Sequence, residues 1–105
     1  MADGAIMVKA RIRLLSADEG GRTLPVYGRY RPNHGFFDND RLEMMIGQID
    51  FGTVPCHPGE TRDVTIEFFD APELNDLLQN GREWRIQEGD RLIGVGLVIE
   101  RLKPA

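Results

Sequence analysis

The chain has 105 residues, of which 41% are apolar and 29% charged, a composition that excludes disordered and fibrous classes and fits one globular domain. No apolar run approaches the roughly 18 residues of a membrane-spanning helix, and the N-terminal residues show no secretory signal. The single cysteine, Cys56, cannot form an internal disulfide. We therefore predict one domain over residues 1–105, in the cytoplasm and not associated with a membrane.

The net charge of −4 is divided unevenly, with +2 over residues 1–41 and −6 over residues 42–105. An acidic total argues against dominant binding to a nucleic-acid backbone, because that affinity is largely electrostatic. Eleven of the 13 basic residues are arginine, which suits planar, bidentate contacts. A local basic patch in the first forty or so residues is therefore the alternative that the charge leaves open.

The first half of the chain predicts three strands. Residues 6–15 alternate with period two, which indicates a strand with one buried face made of Ile6, Val8, Ala10, Ile12 and Leu14. Residues 25–31 predict a second strand in which Val26, Gly28 and Tyr30 share a face. Residues 32–41 are predicted as a polar loop, and residues 42–51 as a third strand with poorer alternation.

The second half predicts three more strands and one short helix. Residues 63–69 alternate with Val64, Ile66 and Phe68 inward, and residues 72–81 carry a helical signal of at most about two turns. Residues 83–102 predict a hairpin around a turn at 88–91. Six short antiparallel strands indicate an all-β barrel or sandwich, and we favour a closed barrel because closure removes exposed edges.

Gly94 and Gly96 admit two interpretations. A phosphate-binding loop needs its glycines between a strand and the N-terminus of a helix. In this chain both glycines lie two residues apart inside a predicted strand, and no helix follows. We therefore interpret them as small residues on one strand face, where they allow coiling or the close approach of another group.

No residues are predicted to be catalytic, to hold a metal or to bind a cofactor. Cys56 and His57 are adjacent, whereas a catalytic thiolate needs a histidine across the site. A structural zinc needs four nitrogen or sulfur ligands, and the chain has three candidates, the third being His34. The carboxylates are scattered, without an evident acid–base pair.

The most suggestive polar cluster consists of Arg22, Arg29, Arg31 and His34, interleaved with Tyr27 and Tyr30. Arginine among aromatic residues is typical of surfaces that bind phosphates or nucleic acid. The alternative is an ordinary solvated strand face on which arginine stems pack against tyrosines.

Two ordered motifs resemble the C-terminal (third) domain of bacterial elongation factor Tu: LLSADEGGRTLPVYGRYRP near the start and WRIQEGDRLIGVGLVIERL at the end. The resemblance covers roughly residues 8–102 and implies a six-stranded antiparallel barrel of Greek-key type. That domain contacts the T-stem of aminoacyl-tRNA, the GTPase domain and the nucleotide-exchange factor. This chain departs from the family pattern at Gln87, Asp90 and Leu92, and Gly89 and Arg91 are retained.

The resemblance and the absence of a catalytic constellation predict a non-catalytic binding module that acts through protein–protein contacts and is translation-related. The alternative is a barrel that binds tRNA or other RNA. In either case the predicted contact residues are Arg22, Arg29, Arg31, His34, Gly89, Asp90 and Arg91. Because the 105 residues hold no GTPase domain, we expect neither GTP binding nor GTP hydrolysis.

Overall fold

The computed structural model describes residues 5–38, 41–69 and 74–103. Within these ranges the chain forms seven strands and one short helix: β1 (Ile6–Leu14), β2 (Arg29–Tyr30), β3 (Asn33–Asp38), β4 (Arg41–Asp50), β5 (Thr61–Phe68), α1 (Leu74–Leu77), β6 (Glu83–Glu88) and β7 (Arg91–Lys103). Every strand pair is antiparallel. No helix in the described ranges has the length and apolar character needed to cross a membrane.

The long strands lie in the order β4-β3-β6-β7-β1-β5, and pairing between β5 and β4 closes the sheet. The short β2 and β3 are two parts of one strand, since both pair with β4 in the same register: Tyr30 lies opposite Ile49, and Asn33 opposite Ile46. Pro32, which has no N–H to donate, lies in the break between them. The predicted closed, six-stranded antiparallel β-barrel is therefore confirmed.

Two predicted elements differ from the structure. The polar loop predicted over residues 32–41 is wrong, because residues 33–38 form β3 and pair with both β4 and β6. Of the strand predicted over residues 25–31, Arg29 and Tyr30 alone are in β2. Before them, Gly28 has a φ of 67°, in the left-handed region that glycine tolerates, and Val26 makes an isolated bridge to Cys56.

The barrel interior follows the period-two patterns of β1 and β5. The five alternating apolar residues of β1 are all buried, as are Val64, Ile66 and Phe68 of β5. Aromatic rings from β3, β5 and β6 fill the centre: Phe36 stacks on Trp84 with a centroid separation of 6.0 Å, and Phe68 meets Trp84 edge-on. The predicted inward faces of both strands are confirmed.

Gly94 and Gly96 lie inside β7, which continues to Lys103 without a following helix. Both glycines are buried. A β-carbon at Gly96 would stand 2.6 Å from Cζ2 of Trp84, and one at Gly94 would stand 3.1 Å from the Arg13 carbonyl oxygen. These glycines make room for the tryptophan ring and for the neighbouring strand, so the interpretation as strand glycines is confirmed.

Candidate functional site

His34 belongs to the core and not to the surface cluster in which the sequence placed it. Its side chain is fully buried on β3, with 0% exposure. Trp84 Nε1–H donates to His34 Nδ1 at 3.0 Å, so the ring hydrogen is on Nε2, which donates to the Gly47 carbonyl oxygen at 3.1 Å. Burial lowers the pKa of His34 to about 4. The prediction that His34 contacts a partner is therefore wrong, since the strand alternation points it inward.

Arg22 contacts the turn between β6 and β7 through the carboxylate of Glu88, the last residue of β6. Its guanidinium pairs with the Glu88 carboxylate, and the Tyr30 hydroxyl donates to the same carboxylate. Arg22 also lies over the Tyr30 ring, 5.6 Å from its centroid. Burial, followed by the hydrogen bond to Glu88, raises the pKa of Tyr30. The positive charge of Arg22 is therefore already neutralised within the protein.

The predicted turn at residues 88–91 is present, with Gly89 at a φ of 58°. Asp90, in the turn, and Arg91, the first residue of β7, are both exposed. Within the described ranges, neither side chain makes a hydrogen bond or an ion pair. Together with Glu88 and Arg22 they form a group of balanced charge, which gives the turn no surplus of positive charge for binding phosphates.

The other two predicted arginines lie on the outside of the barrel, on the ribbon formed by β2, β3 and β4. Odd-numbered residues from 29 to 35 point outward, and the register places even-numbered residues of β4 beside them. Tyr27 is 66% exposed, Ile46 62% and Met44 39%. We call this surface the ribbon face, and it consists of Arg29, Arg31, Met44, Ile46 and Asp50, with the exposed Tyr27 just before it in the chain.

The two arginines of the ribbon face are held differently. Arg31 donates from Nε to Gln48 Oε1 at 2.9 Å, and its guanidinium lies over the Phe69 ring at 5.4 Å. Arg29 is exposed and, among the described residues, has no hydrogen bond or ion pair. Asp50 lies opposite Arg29, but its Oδ1 accepts the Gly52 N–H at 2.9 Å. One cation is thus fixed over an aromatic ring, and the other is available for contacts.

The ribbon face continues at one end onto two ordered loops. Leu24 and Val54 are exposed there, on the segments that flank the bridge between residues 26 and 56. Arg62 donates to the carbonyl oxygens of Val54 and Pro55, the latter at 3.0 Å. The apolar side chains at this end are therefore carried by backbone that is already fixed.

An open groove of about 350 Å³ borders the other end of the ribbon face. It is lined by Gly35, Arg82, Glu83, Trp84, Arg85 and Val95. Gly35 pairs with Met44 across β3 and β4, so the exposed methionine stands beside the groove. Glycine on the outward face leaves space where any other residue would place a side chain.

Cys56 and His57 do not form a reactive pair in the structure. Cys56 is a buried free cysteine, and burial raises the pKa of its thiol, which favours the less nucleophilic protonated form. His57 is exposed beside it. In the part of the chain that the structure describes, no group of three or more His, Cys, Asp or Glu side chains is placed to hold a metal ion.

Fold and site together define a small closed β-barrel whose ribbon face combines exposed apolar and charged side chains. No protein-family model matches the chain. Sequence reasoning placed Tyr27, Arg29 and Arg31 together but missed Met44 and Ile46. The sequence does show a run of three apolar residues at 44–46. Period-two alternation alone cannot tell which residues of such a run point outward.

Proposed function

We propose that the protein is a non-catalytic binding module that acts through protein–protein contacts at the ribbon face. The observation that carries this proposal is the exposure of Met44 and Ile46 two residues apart on the outward face of β4. Contiguous exposed apolar surface is characteristic of interaction sites. Tyrosine, methionine and arginine, which accompany Ile46 here, are the residue types enriched at protein interfaces.

A role related to translation belongs to the same proposal. Its support is the resemblance of two motifs to the third domain of elongation factor Tu, together with a barrel of the strand number that this resemblance implies. In that family the domain works by contacts rather than by chemistry.

RNA binding is the alternative, and the unpaired Arg29 beside the exposed Tyr27 is the observation that favours it. Three features argue against it. Arg22 is neutralised by Glu88, and the whole chain carries a net charge of −4. The apolar side chains Met44 and Ile46 also offer no ring on which a base could stack.

Affinity capture with three forms of the protein tests the proposal: wild type, Ile46→Glu and Leu102→Glu. Leu102 is an exposed apolar residue on β7, outside the ribbon face, and serves as the matched control. We expect the wild type and Leu102→Glu to retain the same protein from a native lysate, and Ile46→Glu to lose it. Equal recovery by all three forms contradicts a role for the ribbon face.

A salt titration with bulk tRNA tests the alternative. Phosphate contacts strengthen as salt is lowered, so an RNA-binding barrel must show affinity at low ionic strength. We expect no binding there. Binding that is lost in Arg29→Glu would favour the RNA alternative instead.

A further inference from the structure

We infer that His34 and Trp84 form a proton-operated latch on the seam between β3 and β6: a proton taken up by His34 releases this seam while the other strand pairs of the barrel hold. The seam consists of residues 33–35 of β3 and residues 85–87 of β6. The inference is independent of the proposed binding function. Three features carry it: the direction of the hydrogen bond between the two rings, the shortness of the seam and the groove that lies over it.

The hydrogen bonds of His34 leave no place for a second ring proton. Its Nε2–H donates to the Gly47 carbonyl oxygen at 3.1 Å, and its Nδ1 accepts from Trp84 Nε1–H at 3.0 Å. Because the indole nitrogen can only donate, a proton on Nδ1 would bring two N–H groups face to face. Protonation of His34 therefore breaks this bond and leaves two buried donors without an acceptor, at a cost that separation of the strands relieves.

Inside the barrel, no charge among the described residues offsets that of a protonated His34. Among these residues, His34 is the one polar or charged side chain that is buried. Its neighbours come from β4, β5 and β6, and all are uncharged: Met45, Gly47, Phe68, Trp84 and Ile86. An imidazolium in such surroundings is stable only when water reaches it, so protonation favours the open seam over the closed one.

The seam is also the junction that opens at the lowest cost in hydrogen bonds. Its three residue pairs are the fewest between two long strands in the described ranges. Pairing ends at Gly35 and Arg85, beyond which β3 continues to Asp38 beside β4. Trp84 is the next residue of β6 past that end. Its bond to His34 therefore fastens the two strands where their backbone pairing stops.

Solvent lies directly outside the seam. The open groove of about 350 Å³ is lined by Gly35 of β3 and by residues 83–85 of β6, together with Arg82 and Val95. Gly35 has no side chain to cover the backbone there. Separation of the two strands would connect this groove with His34 and hydrate the protonated ring. The charged side chains of Glu83 and Arg85 are exposed in the closed barrel already, so opening changes their surroundings much less.

Hydrogen exchange followed by NMR at a series of pH values tests the latch. The Trp84 indole N–H gives one unambiguous signal, because the chain has a single tryptophan. The pKa of His34 is about 4 in the closed barrel and should return to ~6.5 in the open seam, so opening should become about tenfold more frequent for each pH unit between ~6.5 and ~4. After correction for the intrinsic pH dependence of exchange, we expect the protection of the indole and of the seam amides to fall by that factor. At every pH it should stay below the protection of the amides between β1 and β5.

His34→Gln is the decisive variant, because its side chain can hydrogen-bond but does not titrate. His57→Gln is the matched control at an exposed histidine. We expect the pH dependence of seam protection to disappear in His34→Gln and to persist in His57→Gln. If His34→Gln does not fold, the wild-type comparison between the seam and the β1–β5 amides still decides whether the seam opens by itself.

Three results would overturn the latch. Equal protection of the seam amides and the β1–β5 amides would show that the seam opens only when the whole barrel unfolds. Seam protection that does not change with pH would show that proton uptake by His34 does not open it. The same pH dependence in His34→Gln as in wild type would assign the opening to other groups that titrate in acid, such as the carboxylates at the barrel surface.

Discussion

The inner and outer faces of the ribbon formed by β2, β3 and β4 are built from alternate residues of the same strands. On the inner face, His34 and Ile49 are completely buried, and the His34 ring touches the aromatic core. On the outer face, Arg29 is without a partner among the described residues and Ile46 is largely exposed. Residues that are neighbours in sequence therefore occupy opposite environments: one is packed in the barrel interior, and the next is exposed to solvent.

The difference teaches which face of so small a barrel supplies its stability and which face is accessible for the binding that we propose. Both ring nitrogens of His34 are satisfied, so substitution there leaves a buried donor or acceptor unpaired. The outer side chains contribute little to the stability of the fold, so they are accessible to a partner of the kind that we propose. Substitutions on the inner face should change stability, and substitutions on the outer face should change binding.

Acid titration gives the largest effect that we expect from the inner face. His34 has a folded-state pKa of about 4, against an ordinary value of about 6.5, so the unfolded chain binds the proton more readily. The stabilisation is complete above pH ~6.5 and is lost as the pH falls towards ~4, by on the order of 3 kcal/mol. Urea unfolding at a series of pH values measures this loss.

His34→Gln is the informative variant for this titration, and His57→Gln is its control at an exposed histidine. Glu19 and Asp63 also titrate at the acidic end, because the Ser16 backbone N–H and the Arg11 guanidinium lower their pKa values. The variants are therefore compared with wild type at each pH. We expect the stability gap between wild type and His34→Gln to narrow as the pH falls. A constant gap would show that His34 does not titrate as its environment indicates.

Gly96→Val should have the next largest effect, because it overfills the core next to Trp84. The first added carbon would already lie 2.6 Å from the indole ring, so the ring or the strand must move. We expect a loss of about 2 kcal/mol in the free energy of unfolding. Val95→Ile, on the half-exposed side of the same strand, is the control and should change stability little. Near-wild-type stability of Gly96→Val would contradict the close packing of Trp84 on β7.

The smallest effect is expected for Ile46→Thr, and it tests the comparison most directly. Because this side chain is 62% exposed, we expect the free energy of unfolding to change by about 0.5 kcal/mol or less. Ile49→Thr makes the same change three residues along β4 at a fully buried position. There the lost methyl group and the buried hydroxyl should cost about 2 kcal/mol. Equal losses of unfolding free energy at the two positions would show that the inner and outer faces do not differ in their contribution to stability.

Most of the barrel could be predicted from the sequence, because period two marks a strand that is buried on one side. β1 and β5 show this pattern clearly, and their inward residues are as expected. β3 was missed because its asparagine, histidine, glycine and aspartate disfavour strands. Pairing with β4 and β6 on both sides overrides that local preference, and such pairing cannot be seen in a single segment.

The candidate site could be predicted in part, for a related reason. Arg29 and Arg31 share parity in one strand and were placed together. His34 has an even number, so in the same strand its side chain points inward. This can be predicted only if residues 33–38 are known to continue that strand. The pairing of Arg22 with Glu88 spans 66 residues and depends on barrel closure, so no local pattern reveals it.

The seam between β3 and β6 gives the barrel one weak junction. It consists of three residue pairs, whereas β1 and β5 share eight. The hydrogen bond from Trp84 to His34 crosses this seam from inside and reinforces it. Local opening of the barrel should begin there, since few backbone hydrogen bonds must break. The seam runs beside the ribbon face, so a partner of the kind proposed above, bound across β3 and β6, would slow this local opening and raise the hydrogen-exchange protection of the seam.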